Sequence, residues 1–140
     1  MSDLTDITDK IETVLSNTLG YKLEDLSSVD ISDEDWDDAV LCQLLWKGHE
    51  EQEVNLNNSP KWTLTKYIIE IQFRDVTPDL SRSRSQEIHD SLRSSLTVSA
   101  IDLTAQNVQL VIYDETDVNF EPPLTKITYP IRVRYGYTGN

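Results

Sequence analysis

The side chains able to do chemistry are few and scattered. Two histidines, His49 and His89, lie far apart, and neither has a second nitrogen or sulfur ligand at metal spacing. Cys42 is the single cysteine. It sits in an apolar run with no basic neighbour to lower its pKa, so it reads as a buried structural thiol and not as a nucleophile. Serines are abundant, yet none occupies the G-x-S-x-G turn that exposes a nucleophile. The four glycines form no phosphate-cradling loop. Asp30, Ser32 and Glu34 imitate the start of a calcium loop, but Asp35 stands where that loop needs glycine, and its twelfth position is Leu41 in place of glutamate. Acids are so common that a catalytic carboxylate pair cannot be told from a solvated acidic face. Trp46 and Trp62 have no basic groove around them and read as core or interface anchors. These residues predict no enzyme, no metal and no cofactor.

Something must still hold these side chains in place, and the clearest element is the stretch Trp62 to Arg74. Tyr67, Ile69, Ile71 and Phe73 alternate with Lys66, Glu70, Gln72 and Arg74, with Ile68 as an apolar exception. Side chains on a strand flip faces at every residue, so this is a half-buried strand. Ile127 to Tyr137 repeats the pattern, with Lys126, Thr128, Arg132 and Arg134 on the polar side. Pro130 lacks an N–H, which predicts that this strand lies at an edge or bulges there. Residues 39–47 fit either a helix or a strand. Their brevity, their two apolar faces and the following Gly48 favour a strand. Residues 48–61 carry Glu50, Glu51 and Glu53 and then turn residues, and they read as the connection of a long hairpin. Asn107 to Tyr113 is apolar on both faces and predicts a central strand.

Two helices complete the reading. Over residues 3–19, Leu4, Ile7, Ile11, Val14, Leu15 and Leu19 line one helical face, with Ser2 or Asp3 as the cap and Gly20 at the end. Over residues 81–96, Ile88, Leu92 and Leu96 form the stripe, and Ser83 with Gln86 imitates a capping box. Residues 21–38, 97–106 and 114–125 read as connections. The expectation is one α+β domain over residues 1–140: a single, mostly antiparallel four-stranded sheet against two helices, in the order α-β-β-α-β-β.

The charge is uneven. The net charge is −13, and residues 1–60 hold fifteen acids against three lysines, which leaves −12 there and −1 in the rest. Such a surface repels phosphate backbones, so specific nucleic-acid binding is not expected. A lone cysteine suits a reducing compartment, and the N-terminus lacks the basic and apolar regions of a signal peptide. No apolar run approaches the length of a membrane span. Synthesis in the cytoplasm is expected, with no membrane partner.

The order of elements resembles the tail terminator, or tail-completion, proteins of long-tailed bacteriophages of the lambda type. The residues that carry the resemblance are Asp38–Trp46 as an apolar strand, Glu50–Glu53 as an acidic connection and Trp62–Phe73 as a Trp-led strand. Gln86–Leu96 matches the helix, and Ile127–Tyr137 the closing strand of alternating aromatics and aliphatics. The resemblance implies a structural virion protein at the tail/neck junction, present in the host cytoplasm during assembly. It implies a ring, usually of six subunits, that caps the tail tube, stops its polymerisation and gives the head connector a docking surface. Its partners would be other copies of itself, the tube protein and the connector, with genomic DNA passing through unbound. Glu50, Glu51 and Glu53 would line the channel wall and repel that DNA. Trp62, Lys66, Glu70, Arg74, Arg132 and Arg134 would serve contacts. The competing reading is a small acidic adaptor that binds a basic partner protein and has no virion role.

Overall fold

The computed structural model of the chain describes residues 3–23, 26, 40–54, 60–74, 77–101, 108–121 and 124–136. Helix α1 (Asp3–Thr13) runs into a π-turn (Val14–Thr18). Strands β1 (Lys22–Leu23), β2 (Leu41–Val54) and β3 (Pro60–Arg74) follow. Helices α2 (Pro78–Ser95) and α3 (Val98–Ile101) come next, and strands β4 (Val108–Tyr113), β5 (Asp117–Glu121) and β6 (Leu124–Gly136) close the chain. The six strands form one sheet in the order β1-β2-β3-β6-β4, and β5 also pairs with β6. All pairings are antiparallel except β1 with β2.

The α+β class and the presence of the four main strands agree with expectation; the strand count does not, and β4, expected to be central because both its faces are apolar, lies at the edge of the sheet beside β6. The two extra strands lie where connections were expected. The segment 21–38 contributes the two-residue β1, too short to leave a periodic signal. The segment 114–125 contributes β5, where Val118 and Phe120 alternate with Asn119 and Glu121. The expected connection 48–61 is largely strand as well. The β2–β3 hairpin stays paired out to Val54 opposite Pro60, so the glutamates lie on a ladder and not in a loop. The polar connection 97–106 opens with the single turn α3.

One face of the sheet carries the helices. Tyr67, Ile69, Ile71 and Phe73 on β3 oppose Ile131, Tyr129, Ile127 and Thr125 on β6, and nearly all are fully buried. Ile7, Ile11 and Leu15 from the N-terminal helix and Ile88, Leu92 and Leu96 from α2 pack on them in one core with Cys42. Each such aliphatic side chain contributes roughly 1.5–3 kcal/mol through its burial. Gly20 ends the N-terminal helix as expected. It takes φ 73°, and Tyr21 N–H donates to the Leu15 carbonyl at 2.9 Å, a bond that only a left-handed residue allows. The expected cap Ser2 lies outside the described residues, as do positions 24–25 and 27–38 of the acidic segment.

The second helix starts earlier than expected. Pro78 fills its first turn, where a missing N–H does no harm, and the Thr77 hydroxyl accepts from Leu80 N–H at 3.2 Å. The Ser83–Gln86 pair therefore lies inside the helix and caps nothing. Pro130 is also corrected, because β6 is not an edge strand. In an antiparallel ladder a residue's N–H and C=O point the same way. The Pro130 carbonyl accepts from Asp114 N–H at 3.0 Å, so its missing N–H faces the break between β4 and β5. The proline sits where β6 has no neighbour to donate to.

Candidate functional site

The sheet face opposite the helices collects five of the expected contact residues. Lys66, Glu70 and Arg74 on β3 and Arg132 and Arg134 on β6 all point to this side, since they alternate with the core residues. Lys66 lies directly opposite Arg132, and Arg134 opposite Leu64. All five are half-buried. Two like charges side by side on one face would destabilise the pair. Asp114 removes that conflict: its carboxylate takes both Arg132 Nε and Nη2 at 2.9 Å, a bidentate fork at the end of β4. Ile68, Pro130 and Lys47 complete a shallow depression around Lys66 and Arg132.

The acidic segment 21–38 crosses to this face in at least one place. Leu26 packs with Leu41 and Leu124, and its N–H donates to Gln43 Oε1 at 3.3 Å. Trp62 belongs to β3, opposite Gly136 of β6 and Gln52 of β2. Glu50 and Glu51 pair in register with Leu64 and Thr63. Glu53 lies on the same strand, just before the Val54–Pro60 closing pair. The three glutamates thus share the far half of the hairpin, beyond a bulge. Between the pairs Trp46–Tyr67 and His49–Thr65, the two β2 residues Lys47 and Gly48 face the single β3 residue Lys66, with Gly48 at φ 100°.

A second feature was not foreseen. Between α2 and β5 a groove of about 440 Å³ is lined by Ile88, Val118, Phe120, Ile127, Tyr129 and Ser85, among others. His89 stands at its wall, with Nδ1 at 3.3 Å from the Tyr129 hydroxyl. The Ser85 hydroxyl is buried there with no hydrogen-bond partner. The alternation of Val118 and Phe120 was the signal for it, hidden inside a stretch read as an acidic loop. Trp46 is the other surprise. Its position on β2 points to the helix side, opposite Tyr67, yet it is 49% exposed. Its indole N–H donates to Thr65 Oγ1 at 2.9 Å.

The titratable groups shifted on the helix side reflect burial. Burial, and then the charge of Glu12, pushes the Cys42 thiol up to about 12. That makes it a weaker nucleophile, opposite to a catalytic cysteine. Burial likewise pushes Tyr21, Tyr67 and Tyr129 up to about 12. Among the described residues no group of three or more His, Cys, Asp or Glu is placed to hold a metal ion, and no helix is long and apolar enough to cross a membrane.

No family model matches the chain, and no curated protein matches it. A solved structure does. A chain of the virion of a native gene transfer agent particle superposes with a TM-score of 0.53 at 10% identity, covering 94% of this chain and 92% of that one. At that identity the similarity establishes a shared fold.

Proposed function

We propose that the chain is a structural protein of a virion, a ring-forming terminator of the tail tube, and not an enzyme. The observation that carries this reading is the fold shared, over nearly the whole length of both chains, with a chain of the gene transfer agent virion. A virion is the kind of assembly that the resemblance to tail terminators implies. The reading assigns a ring of six copies at the tail/neck junction, assembled in the host cytoplasm. One side of the ring caps the tube and ends its growth; the other receives the head connector. A ring does this because a heterologous interface whose rotation closes leaves no end to extend.

In this reading the face bearing Lys66, Glu70, Arg74, Arg132 and Arg134 meets the neighbouring ring of tube or connector, with Trp62 beside it. Mixed charges suit that role, since complementary charges fix register more than they add affinity. The hairpin half with Glu50, Glu51 and Glu53 lines the channel, where negative charge keeps passing DNA from sticking.

The test is to size the purified chain and image it by negative stain, alone and with tail tubes. Rings, free or at tube ends, support the reading. A strict monomer that never co-purifies with tubes favours the acidic adaptor. Reversal of Glu50, Glu51 and Glu53 to lysine tests the channel wall separately. It is expected to slow DNA ejection, and unchanged ejection with unchanged tail length retires that assignment.

A further inference from the structure

Three cations stand in one row across the sheet, on the face away from the helices. Lys47 on β2 faces Lys66 on β3, and Lys66 lies opposite Arg132 on β6. Like charges directly opposite on one face destabilise a strand pair. Asp114 offsets Arg132 alone. Among the described residues neither lysine has a hydrogen-bond or ion-pair partner. Three positive charges against one negative leave two uncompensated, in a chain whose net charge is −13. A place that breaks a local rule with no compensation inside the fold is where function is expected.

The row is held in place from behind. Asp114 is anchored twice: its N–H donates to the Pro130 carbonyl at 3.0 Å, and its carboxylate takes Arg132 Nε and Nη2 at 2.9 Å. That fork fixes the guanidinium plane and leaves the Nη1 donors for another oxygen. The bulge at Lys47 and Gly48 is the kind of irregularity that re-aims a side chain beside a site. With Ile68 and Pro130 these residues enclose a depression of about 370 Å³. The neighbouring rows bound it. On one side lie Leu45, Ile68 and Pro130, then Gln43, Glu70 and Thr128. Arg74 and Lys126 lie past Glu70, with Asp117 and Glu121 of β5 on their flank. On the other side lie the position of Glu50, then Leu64 and Arg134, which has an interaction of its own. An extended polyanion crossing this face meets acids on both sides of the row, whereas a compact anion meets only the row.

We propose that this depression is an oxyanion site for a compact dianion, a phosphate group or two neighbouring carboxylates, held by Lys47, Lys66 and Arg132 Nη1. A dianion matches the two surplus charges and removes the repulsion along the row. Ammonium and guanidinium groups are the usual donors to such oxygens. The site lies on the face that the ring reading gives to a neighbouring ring, but it rests on the single chain alone. Its failure therefore leaves the ring reading standing.

The experiment is calorimetric titration of the full chain with inorganic phosphate and with succinate, above neutral pH and at fixed ionic strength set by chloride. The natural chain is expected to bind one dianion per chain, saturably. Lys66→Met and Lys47→Met keep the apolar stem and are each expected to weaken binding about tenfold, the worth of one hydrogen bond to a charged group. Lys126→Met, on the same face but outside the row, is expected to bind as the natural chain does. If Lys66→Met misfolds, Lys47→Met carries the test, since its side chain is exposed. Tighter succinate supports the site and names a protein's carboxylates as the source; tighter phosphate supports it and names a phosphate group. Binding that Lys126→Met weakens as much as Lys66→Met means an adventitious ion only and overturns the site. So does a natural chain that binds neither dianion more than chloride.

Discussion

Asp114 grips Arg132 directly across the ladder from Lys66. The fork has two bonds of 2.9 Å, and the two cations face each other on β3 and β6. Asp114→Ala removes the fork and leaves Lys66 and Arg132 opposed. The expected loss is about 1 kcal/mol, because the pair is partly open to solvent. Urea unfolding measures it, and the loss should shrink at high salt as the repulsion is screened. In a double-mutant cycle, adding Arg132→Ala should recover part of it. Additive losses would mean that the fork does not couple the two residues.

Cys42 should be chemically silent in the folded protein. Its thiol, pushed up to about 12 by burial, carries almost no thiolate near neutral pH. A thiol reagent is expected to label it only after denaturant is added. Cys42→Ser puts a hydroxyl into the same apolar site and should destabilise by about 1–3 kcal/mol. Rapid labelling of the native chain would contradict the packing described.

The buried tyrosines predict sensitivity to base. Their hydroxyls ionise near 10 when unfolded and at about 12 when folded. The unfolded state therefore loses protons first, and stability falls as pH rises through that window. The stability they supply is fully present below pH 10. Thermal melts at stepped pH should show the decline, and Tyr67→Phe should make it shallower while also removing the 2.8 Å bond to Thr8. A melting temperature unchanged from pH 10 to about 12 would contradict this.

Much of the fold was legible because its signals are periodic. The alternation along Tyr67–Phe73 and Ile127–Tyr135 and the helical stripe Ile88, Leu92 and Leu96 require only local geometry, and the apolar residues of each are buried as expected. What was missed depends on neighbours. Glu50, Glu51 and Glu53 have no strand preference of their own, and they pair because β3 offers them a partner ladder. Pro130 signalled an edge correctly in kind, but the edge is a break between two partners of a central strand. Of the site, the mixed-charge face followed from alternation alone. The groove did not, since it needs β5 beside α2, two segments far apart in sequence.

Two local features should be separable by mutation. Thr77→Ala removes the cap of α2 and should cost about 1 kcal/mol in chemical denaturation. Gly48→Ala meets no steric obstacle, since nothing lies within 4 Å of an added Cβ. Its cost should come from the backbone alone, about 1–3 kcal/mol for φ 100°. A neutral Gly48→Ala would mean that the bulge relaxes away from that conformation.

The proposed role is that this chain ends a tail tube by closing into a ring on it. The direct measurement is electron microscopy of growing tail tubes to which the purified chain is added. The account predicts a ring of this protein at one end of each tube and tubes that stop lengthening. Bare ends, with tubes that lengthen as though nothing had been added, would contradict it.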